Sequence, residues 1–349
     1  MFSQWKDKIF TLNADEFDSM ALNLFRFQYV NNPVYRYYVD SLGVFPLTVR
    51  SVTQIPFLPI RFFKTHAIRT CLFDPQIIFE SSGTSGMTNS RHFVNEVGLY
   101  KKSSIKIFES FYGPAENWCI IGVLPSYLER QNSSLVYMVN ELVQKSDNSN
   151  SGFYLDEYEK LSDLLLELEN KKQKTLLVGV TFALLDFAEK YPMTLQHTVI
   201  METGGMKGRR EEMVREEMHD VLKKAFNVPV VHSEYGMTEL LSQAYSKGNG
   251  IFQCPPWMKI FIRDDEDPLS IQSSVNSRQS SPDSYRDGSQ SHNSQPAAQG
   301  AINIIDLANL YSCCFIATDD AGKLYNNGSF EILGRMDNSD LRGCSLLSI

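Results

Sequence analysis

Apolar positions near the start of the chain recur at helical spacing. Phe17, Met20, Ala21, Leu24 and Phe25 share one face, Asn13 stands where an N-cap belongs, and Asp15 and Glu16 put acids in the first turn. Residues 3–40 are therefore expected to be largely helical. The segment Ile55–Lys64 is as apolar but is broken by Pro56 and Pro59, which predicts an extended, packed segment whose aromatic residues serve the core. Ile77-Ile78-Phe79 predicts the end of a buried strand, and residues 95–112 a helix. From Trp118 to Leu124 every position except Gly122 is apolar, the pattern of a strand buried on both faces. A regular alternation follows: helix 156–172, strand Thr175–Val180, helix 181–191, strand His197–Glu202, helix 209–225, strand Val228–His232. Strands alternating with helices imply βαβ units and a mostly parallel sheet. Residues 264–299 break this pattern. They are rich in Ser, Gln, Asn and Asp with few apolar positions, too few to offset their ordering entropy, and are expected to form a flexible insertion or long hairpin tip rather than a domain. Order is expected to resume at Ala301–Leu307, with strands at 311–318 and 329–333 and a turn at Asn326-Asn327-Gly328.

Composition narrows the function classes. The 349 residues are 43% hydrophobic and 21% charged, ordinary for a globular protein with a large core. A net charge of -8 gives no basic footprint for nucleic acid. No apolar run is long enough to span a bilayer, and the first residues lack the shape of a signal peptide. Cys71, Cys119, Cys254, Cys313, Cys314 and Cys344 form no Cys-x-x-Cys pair, so zinc is not expected. Reduced thiols in a cytoplasm are the expectation.

Three polar stretches follow predicted strands. Glu80 to His92 contains Ser81, Ser82, Gly83, Thr84, Ser85, Gly86 and Thr88, hydroxyl donors and permissive glycines that suit a polyphosphate or, equally, a solvated turn. No Gly-Lys-Ser/Thr closes it, so it is not a Walker loop. Pro125–Ser134, beyond a strand's carboxyl end, offers Tyr127 and Arg130 as a candidate wall of an acid pocket, or is a plain surface loop. Tyr235-Gly236-Met237-Thr238-Glu239 is a helix entry capped by Thr238, or a ligand loop.

Taken together, these stretches resemble motifs of the adenylate-forming (acyl- and aryl-activating) superfamily. Ser81–Thr88 is similar to its Ser/Thr-rich phosphate loop, and Tyr235-Gly236-Met237-Thr238-Glu239 to its Tyr-Gly-x-Thr-Glu motif. Thr318-Asp319-Asp320-Ala321-Gly322 resembles its Thr-Gly-Asp-x-Gly element, although the same residues would also make a strand-joining turn. Gly334-Arg335-Met336-Asp337 resembles its Gly-Arg-x-Asp hinge, and Gly204-Gly205 its adenine-stacking segment. The finer resemblance is to the LuxE-like acyl-protein synthetases, related to phenylacetate-CoA ligases. It rests on Ile55–Pro59, Ser81–His92, Glu202–Gly208 and the ending from Gly334 to Ser345, and covers most of the chain except 264–299.

The resemblance implies an α/β fold: an adenylate-forming-type large domain, residues 1–333, with mostly parallel sheets flanked by helices and a β-rich C-terminal part. Residues 334–349 would be hinge and short tail, with the lid domain absent or truncated. It implies ATP and Mg2+ as cofactors. Ser82, Gly83, Thr84, Ser85, Gly86 and Thr88 would hold phosphates, and Gly204, Gly205, Tyr235 and Gly236 the base. Thr238 would contact the α-phosphate, Glu239 the metal, and Asp320 and Arg335 the ribose. The lid lysine has no counterpart, so Lys207 or Arg91 would supply charge, or adenylation is slow, or a partner completes the site; the Arg91-His92 neighbourhood stands in place of the usual lysine after the phosphate loop. The implied reaction activates a carboxylic acid, a long-chain fatty acid above all, to acyl-adenylate. The acyl group then passes to a thiol, Cys344 in the LuxE-like pattern, and on to an acyl-accepting reductase or carrier protein. Cys344 is otherwise an inert tail thiol, and Cys313 and Cys314 are expected to be packing residues. The alternatives are an aryl- or acyl-CoA ligase, a non-catalytic acyl- or nucleotide-binding protein, and a structural partner of a reductase complex.

Overall fold

The computed structural model describes residues 2–81, 88–124, 132–154, 157–205, 213–264, 269–272 and 296–336. In chain order these form α1 (Phe2–Lys8), α2 (Phe17–Asn31), α3 (Pro33–Ser41), β1 (Leu58–Pro59), α4 (Phe62–Thr65), β2 (Ile77–Glu80), β3 (Arg91–Val94) and α5 (Val97–Tyr112). Next come β4 (Cys119–Val123), α6 (Ser134–Ser146), β5 (Gly152–Phe153), α7 (Tyr158–Asn170), β6 (Thr175–Gly179), α8 (Thr181–Lys190), β7 (Thr198–Glu202) and α9 (Arg215–Phe226). The remaining strands are β8 (His232–Tyr235), β9 (Ala244–Ser246), β10 (Ile251–Gln253), β11 (Met258–Arg263), β12 (Ile271–Gln272), β13 (Ala298–Asp306), β14 (Phe315–Leu324) and β15 (Phe330–Arg335). Among the described residues no helix is long and apolar enough to cross a membrane.

The chain divides into two compact units: residues 1–103, 237–243 and 253–339, and residues 104–236, 244–252 and 340–349. The second unit carries the parallel sheet, with β5, β4, β6, β7 and β8 adjacent in that order and parallel, and β9 antiparallel beyond β8. β4 and β6 are buried at every position, as their continuous apolar runs require. Helices α7, α8 and α9 cover one face through Leu161, Leu165, Phe182, Phe187, Leu222 and Phe226, which pack with Ile121, Leu177 and Ile200. At roughly 1.5–3 kcal/mol per buried large side chain, this cluster is the main stabiliser of the unit.

The first unit is antiparallel and helix-backed. β12, β11, β13, β14 and β15 lie side by side, all pairs antiparallel, and β1 runs parallel to β14. Helix α3 begins where Asn32 accepts the Tyr35 N–H at 3.1 Å with Pro33 in the first turn. Asn13 caps a short 3-10 turn ahead of α2, with Glu16 reaching back to the Asn13 N–H at 3.1 Å, the reciprocal capping box. Buried Gln28 of α2 donates to the Asn309 and Leu310 carbonyls at 3.0 and 3.2 Å and accepts from Cys314 N at 2.8 Å, tying the helix to the loop before β14.

Several boundaries differ from the sequence expectation. The segment 55–64 is extended only to Pro59; Phe62–Thr65 turn into α4 once the prolines are passed. β3 replaces the start of a loop-to-helix passage and makes β2–β3 an antiparallel hairpin. β8 starts at His232 rather than Val228: Pro229 has no N–H for the ladder, and Val230 is exposed. Within 264–299, Ile271 and Gln272 form β12 and β13 already begins at Ala298; residues 265–268 and 273–295 lie outside the described residues. β14 spans Phe315–Leu324 instead of 311–318, so the Thr318–Gly322 element is strand and not a turn.

Candidate active site

The hydroxyl-rich stretch is the loop of the β2–β3 hairpin. Glu80 and Arg91 are its last cross-strand partners, and the Ser81 N–H donates to Ser90 O at 3.1 Å while the Ser90 N–H donates to the Ser81 hydroxyl at 2.9 Å. Ser82, Gly83, Thr84, Ser85 and Gly86 lie outside the described residues; Thr88 is exposed on the descending limb. Arg91 is exposed, its guanidinium 5.6 Å from the Phe93 ring centre. His92 points inward. It is buried, edge-on to Phe63 with ring centres 5.9 Å apart, and its Nδ1 lies 2.8 Å from the main-chain oxygen of Thr238. Burial lowers its pKa to about 4, against the Thr238 bond and the Glu239 charge, which act upward.

Thr238 and Glu239 occupy a turn, closed by the Leu240 N–H on Met237 O at 3.1 Å, and no helix starts there. The helix-entry alternative for Thr238 is therefore not realised. Glu239 is fully buried. The main chain of this turn is held by side chains. Asn309 donates to Glu239 O at 2.9 Å, and Asp306 accepts from Leu241 N at 2.9 Å and from the Ser242 hydroxyl at 2.7 Å. Burial pushes Asp306 up to about 6, with these bonds working against it.

Asp320 and Arg335 are direct cross-strand partners on β14 and β15, Arg335 Nε being 3.6 Å from Asp320 Oδ1 with both side chains largely buried. The Asp320 N–H donates to the Thr318 hydroxyl at 3.2 Å, and that hydroxyl donates to Ile302 O at 2.8 Å. Asp319 faces the other way, to Arg61 at 3.3 Å. The register shifts between Ala321 and Gly322, where a Cβ on Gly322 would stand 2.4 Å from Glu331 O.

In the second unit, Gly204 and Gly205 follow β7 with φ of +71° and +93°, a backbone that favours glycine. Their carbonyls accept from Thr181 and Phe182 N at the start of α8, at 3.0 and 3.5 Å. Glu202 ends β7, is buried, and accepts the Gly204 N–H at 2.7 Å. Burial opposes its charge, but His219 at 3.5 Å, Arg215 at 3.4 Å and Ser233 outweigh it and hold the carboxyl down to about 2. Two residues before Gly236, Glu234 is pushed the other way, up to about 8, by burial and by the Glu202 charge. His232 bonds the Tyr112 hydroxyl through Nδ1 at 3.0 Å, and burial, with Lys247 and His219 nearby, lowers it to about 4. The Tyr235 ring meets Phe252 edge-on at 5.9 Å.

Tyr127, Arg130, Lys207, Asp337 and Cys344 lie outside the described residues. Of the buried polar supports, His92 was expected with Arg91 to supply charge, but burial keeps its imidazole neutral near pH 7; Glu202, Glu234 and Asp306 were not singled out for a role by sequence pattern. The signal for Glu202 and Glu234 was present: a carboxylate at the end of an apolar strand run, just ahead of a glycine turn.

No protein-family model matches the sequence, and no curated protein matches it. Solved structures do. 2-Hydroxyisobutyryl-CoA ligase in the postadenylation state, in complex with R3-HIB-AMP, aligns with a TM-score of 0.64 at 11% identity, over 97% of this chain and 72% of the ligase. The open conformation of the same enzyme, in complex with 2-HIB-AMP and CoA, aligns with a TM-score of 0.61 at 12% identity, over 97% and 79%. ATP-bound MatB from Rhodopseudomonas palustris aligns with a TM-score of 0.52 at 14% identity, over 76% of this chain and 49% of MatB, so that the chain spans about half of that enzyme. A helix-flanked, mostly parallel sheet, an antiparallel C-terminal β part and these alignments together give this chain the fold of the adenylate-forming ligases.

Proposed function

We propose that this chain joins a carboxylic acid to the α-phosphorus of ATP, releasing pyrophosphate, and then passes the acyl group to a thiol. The observation that carries the reading is the Asp320–Arg335 pair. Two motif segments apart in sequence meet as cross-strand partners, and a buried, charge-compensated carboxylate at that place suits the two hydroxyls of a ribose. In this reading Gly204 and Gly205 form a Cβ-free shelf for the base, flanked by Tyr235 and Gly236. Ser82, Gly83, Thr84, Ser85, Gly86 and Thr88 donate to phosphate oxygens, and Thr238 to the α-phosphate. Lys207 and Arg91 supply positive charge, and Tyr127 and Arg130 line the acid pocket.

The donor set fits Mg2+ carried in with the nucleotide. Glu239 is the hard oxygen donor of the Thr238 turn and would face the ion. The ion would supply charge compensation on the phosphates. The chain's own work is positioning: it holds the carboxylate oxygen in line with the Pα–O–Pβ bond and stabilises charge as that bond breaks.

For the second step a thiolate attacks the acyl carbon and AMP leaves. Cys313 and Cys314 are fully buried, and burial raises both thiols, Cys313 to about 12; Cys119 is raised to about 11 and Cys254 also upward. These thiols are poor nucleophiles near neutral pH. The acceptor we propose is Cys344, with a long-chain fatty acid as substrate and a reductase or carrier protein as the next acceptor. CoA is the second reading, favoured by the CoA ligases among the structures that share the fold.

Acid-dependent ATP–pyrophosphate exchange across fatty and aromatic acids tests the first step. Its absence for every acid leaves the non-catalytic binding protein as the reading. Labelled fatty acid with ATP and Mg2+ tests the second: a hydroxylamine-labile label on Cys344, lost in Cys344→Ser while acyl-adenylate still forms, is the expected result. A label on another cysteine, or acylation of CoA alone, overturns it.

A further inference from the structure

We infer that His92 is a positioning residue for the Thr238–Glu239 turn, fixing that turn against the hairpin that carries the hydroxyl-rich loop. Its geometry stands alone; its effect on turnover rests on the acyl-activation reading above.

His92 is paired with Phe79 in the β2–β3 register, just past the place where the Ser81 and Ser90 bonds close the loop. Its ring faces a carbonyl, which only accepts, so Nδ1 carries the proton and donates to Thr238 O at 2.8 Å. The side chain is 1% exposed and the ring stands edge-on to Phe63 of α4, so no water can take the donor's place and the imidazole cannot swing away. The same turn has two further anchors. Asn309 holds Glu239 O and Asp306 holds Leu241 N, both from the end of β13 and the loop after it. Of these three side chains, His92 alone belongs to the hairpin. Without it the turn keeps its tie to β13 but loses its hydrogen bond to the element whose loop is proposed to hold the phosphates.

A shift of that turn displaces the Thr238 hydroxyl and the Glu239 carboxylate, the groups read as acting on charge that develops at the α-phosphate. The ribose contacts on β14 and β15 and the Gly204-Gly205 shelf lie elsewhere and stay, and Tyr235, next to Gly236, is held in the β8–β9 ladder opposite Ala244. Loss of His92 is therefore expected to lower kcat far more than it raises KM for ATP. A displacement of about 1 Å is worth on the order of 10²-fold in rate.

Two variants separate the donor from the ring. His92→Phe keeps the packing against Phe63 and removes the N–H. His92→Asn places an amide nitrogen near the Nδ1 position. In pyrophosphate exchange, His92→Phe should lose roughly 10²-fold in kcat, with KM for ATP within about 3-fold of the parent, and His92→Asn should recover most of the loss. Hydrogen exchange of the peptide 237–243 should be faster in His92→Phe and parent-like in His92→Asn. In the parent protein, ¹⁵N NMR should find His92 as the Nδ1–H tautomer. An Nε2–H tautomer, unchanged turnover and protection in His92→Phe, or a His92→Asn no better than His92→Phe at equal thermal stability would each overturn the inference. If the parent shows no acid-dependent exchange, the acyl-activation reading fails, while the tautomer and the hydrogen exchange still decide whether His92 positions the turn.

Discussion

Replacing Glu234 with glutamine is expected to stabilise the protein at alkaline pH by removing one group's loss of stability between about 4.5 and 8. Glu234 lies on β8 opposite Tyr245 of β9, one residue before Tyr235, and burial together with the Glu202 charge raises its carboxyl from an ordinary 4.5 to about 8. An unfolded chain ionises this group near 4.5; the native protein keeps it protonated to about 8. The native state binds the extra proton across that window, so the contribution of Glu234 to stability is fullest below 4.5 and falls as pH rises to about 8. At about 1.4 kcal/mol per pH unit, the separation between the two values amounts to roughly 5 kcal/mol as an upper bound, because hydration of the native strand end relaxes part of it. Glutamine keeps the shape and does not titrate. Urea denaturation of parent and Glu234→Gln from pH 5 to 9 reads the effect. His92, His232 and Asp306 also titrate in or near this range and shift both profiles alike, so the reading is the difference: the variant should gain steadily on the parent across the window and end several kcal/mol more stable at pH 8.5. Parallel curves would refute the reasoning, since they would mean that Glu234 ionises in the folded protein as freely as in the unfolded one.

Two further predictions concern β14. Asp320→Ala should weaken ATP binding by about 1.5–3 kcal/mol, the usual worth of a charged hydrogen-bond partner; unchanged affinity by calorimetry in a folded variant would remove the ribose assignment. Gly322→Ala drives a Cβ to 2.4 Å from Glu331 O and 2.6 Å from the Ile302 side chain. It should cost about 1–3 kcal/mol in chemical denaturation, and a change within ~0.5 kcal/mol, the scale of an ordinary surface substitution, would mean that the bulge relaxes to admit a methyl.

What the sequence made legible follows from which residues carry a period. β4 and β6 were readable because strands buried on both faces are continuous apolar runs, and α8 because an apolar stripe follows directly. β3 was not, because Arg91-His92-Phe93-Val94 is short and its one fully enclosed polar group, His92, reads as surface until its carbonyl partner is known. β14 was misplaced for a similar reason. Asp319 and Asp320 look like a turn, yet each has a cation across from it: Arg61, far away in the chain, and Arg335, on the next strand. The candidate site was legible residue by residue, as short motifs after strands. Of the supports that fix those motifs, Asn309 under Glu239 was not, because a single-residue hydrogen bond across the fold leaves no spacing to read, whereas Glu202 under Gly204 was local and its signal, a carboxylate between an apolar strand and a glycine turn, was present.

These supports also bear on the choice between an enzyme and a binding protein that merely kept the fold. A buried carboxylate such as Glu202 needs His219, Arg215 and Ser233 around it, and its charge helps to hold Glu234 in the neutral form. With its carboxyl held down to about 2, ionised Glu202 is favoured by the folded chain over the unfolded one, so this cluster contributes to stability as well as to shape. Glu202 sits at the end of β7 and holds the Gly204 N–H beside the left-handed Gly204-Gly205 pair, Glu234 lies on β8, and Asp306 holds the Leu241 N–H after the Thr238 turn. In the enzyme reading, side chains that fix main chain beside glycine turns would serve pre-organisation of the site. A ligand-binding relic would tolerate their loss. That difference is measurable: in an enzyme, Glu202→Gln should lower turnover in pyrophosphate exchange more than it weakens ATP binding, whereas in a binding protein ATP affinity is the only functional readout it can change.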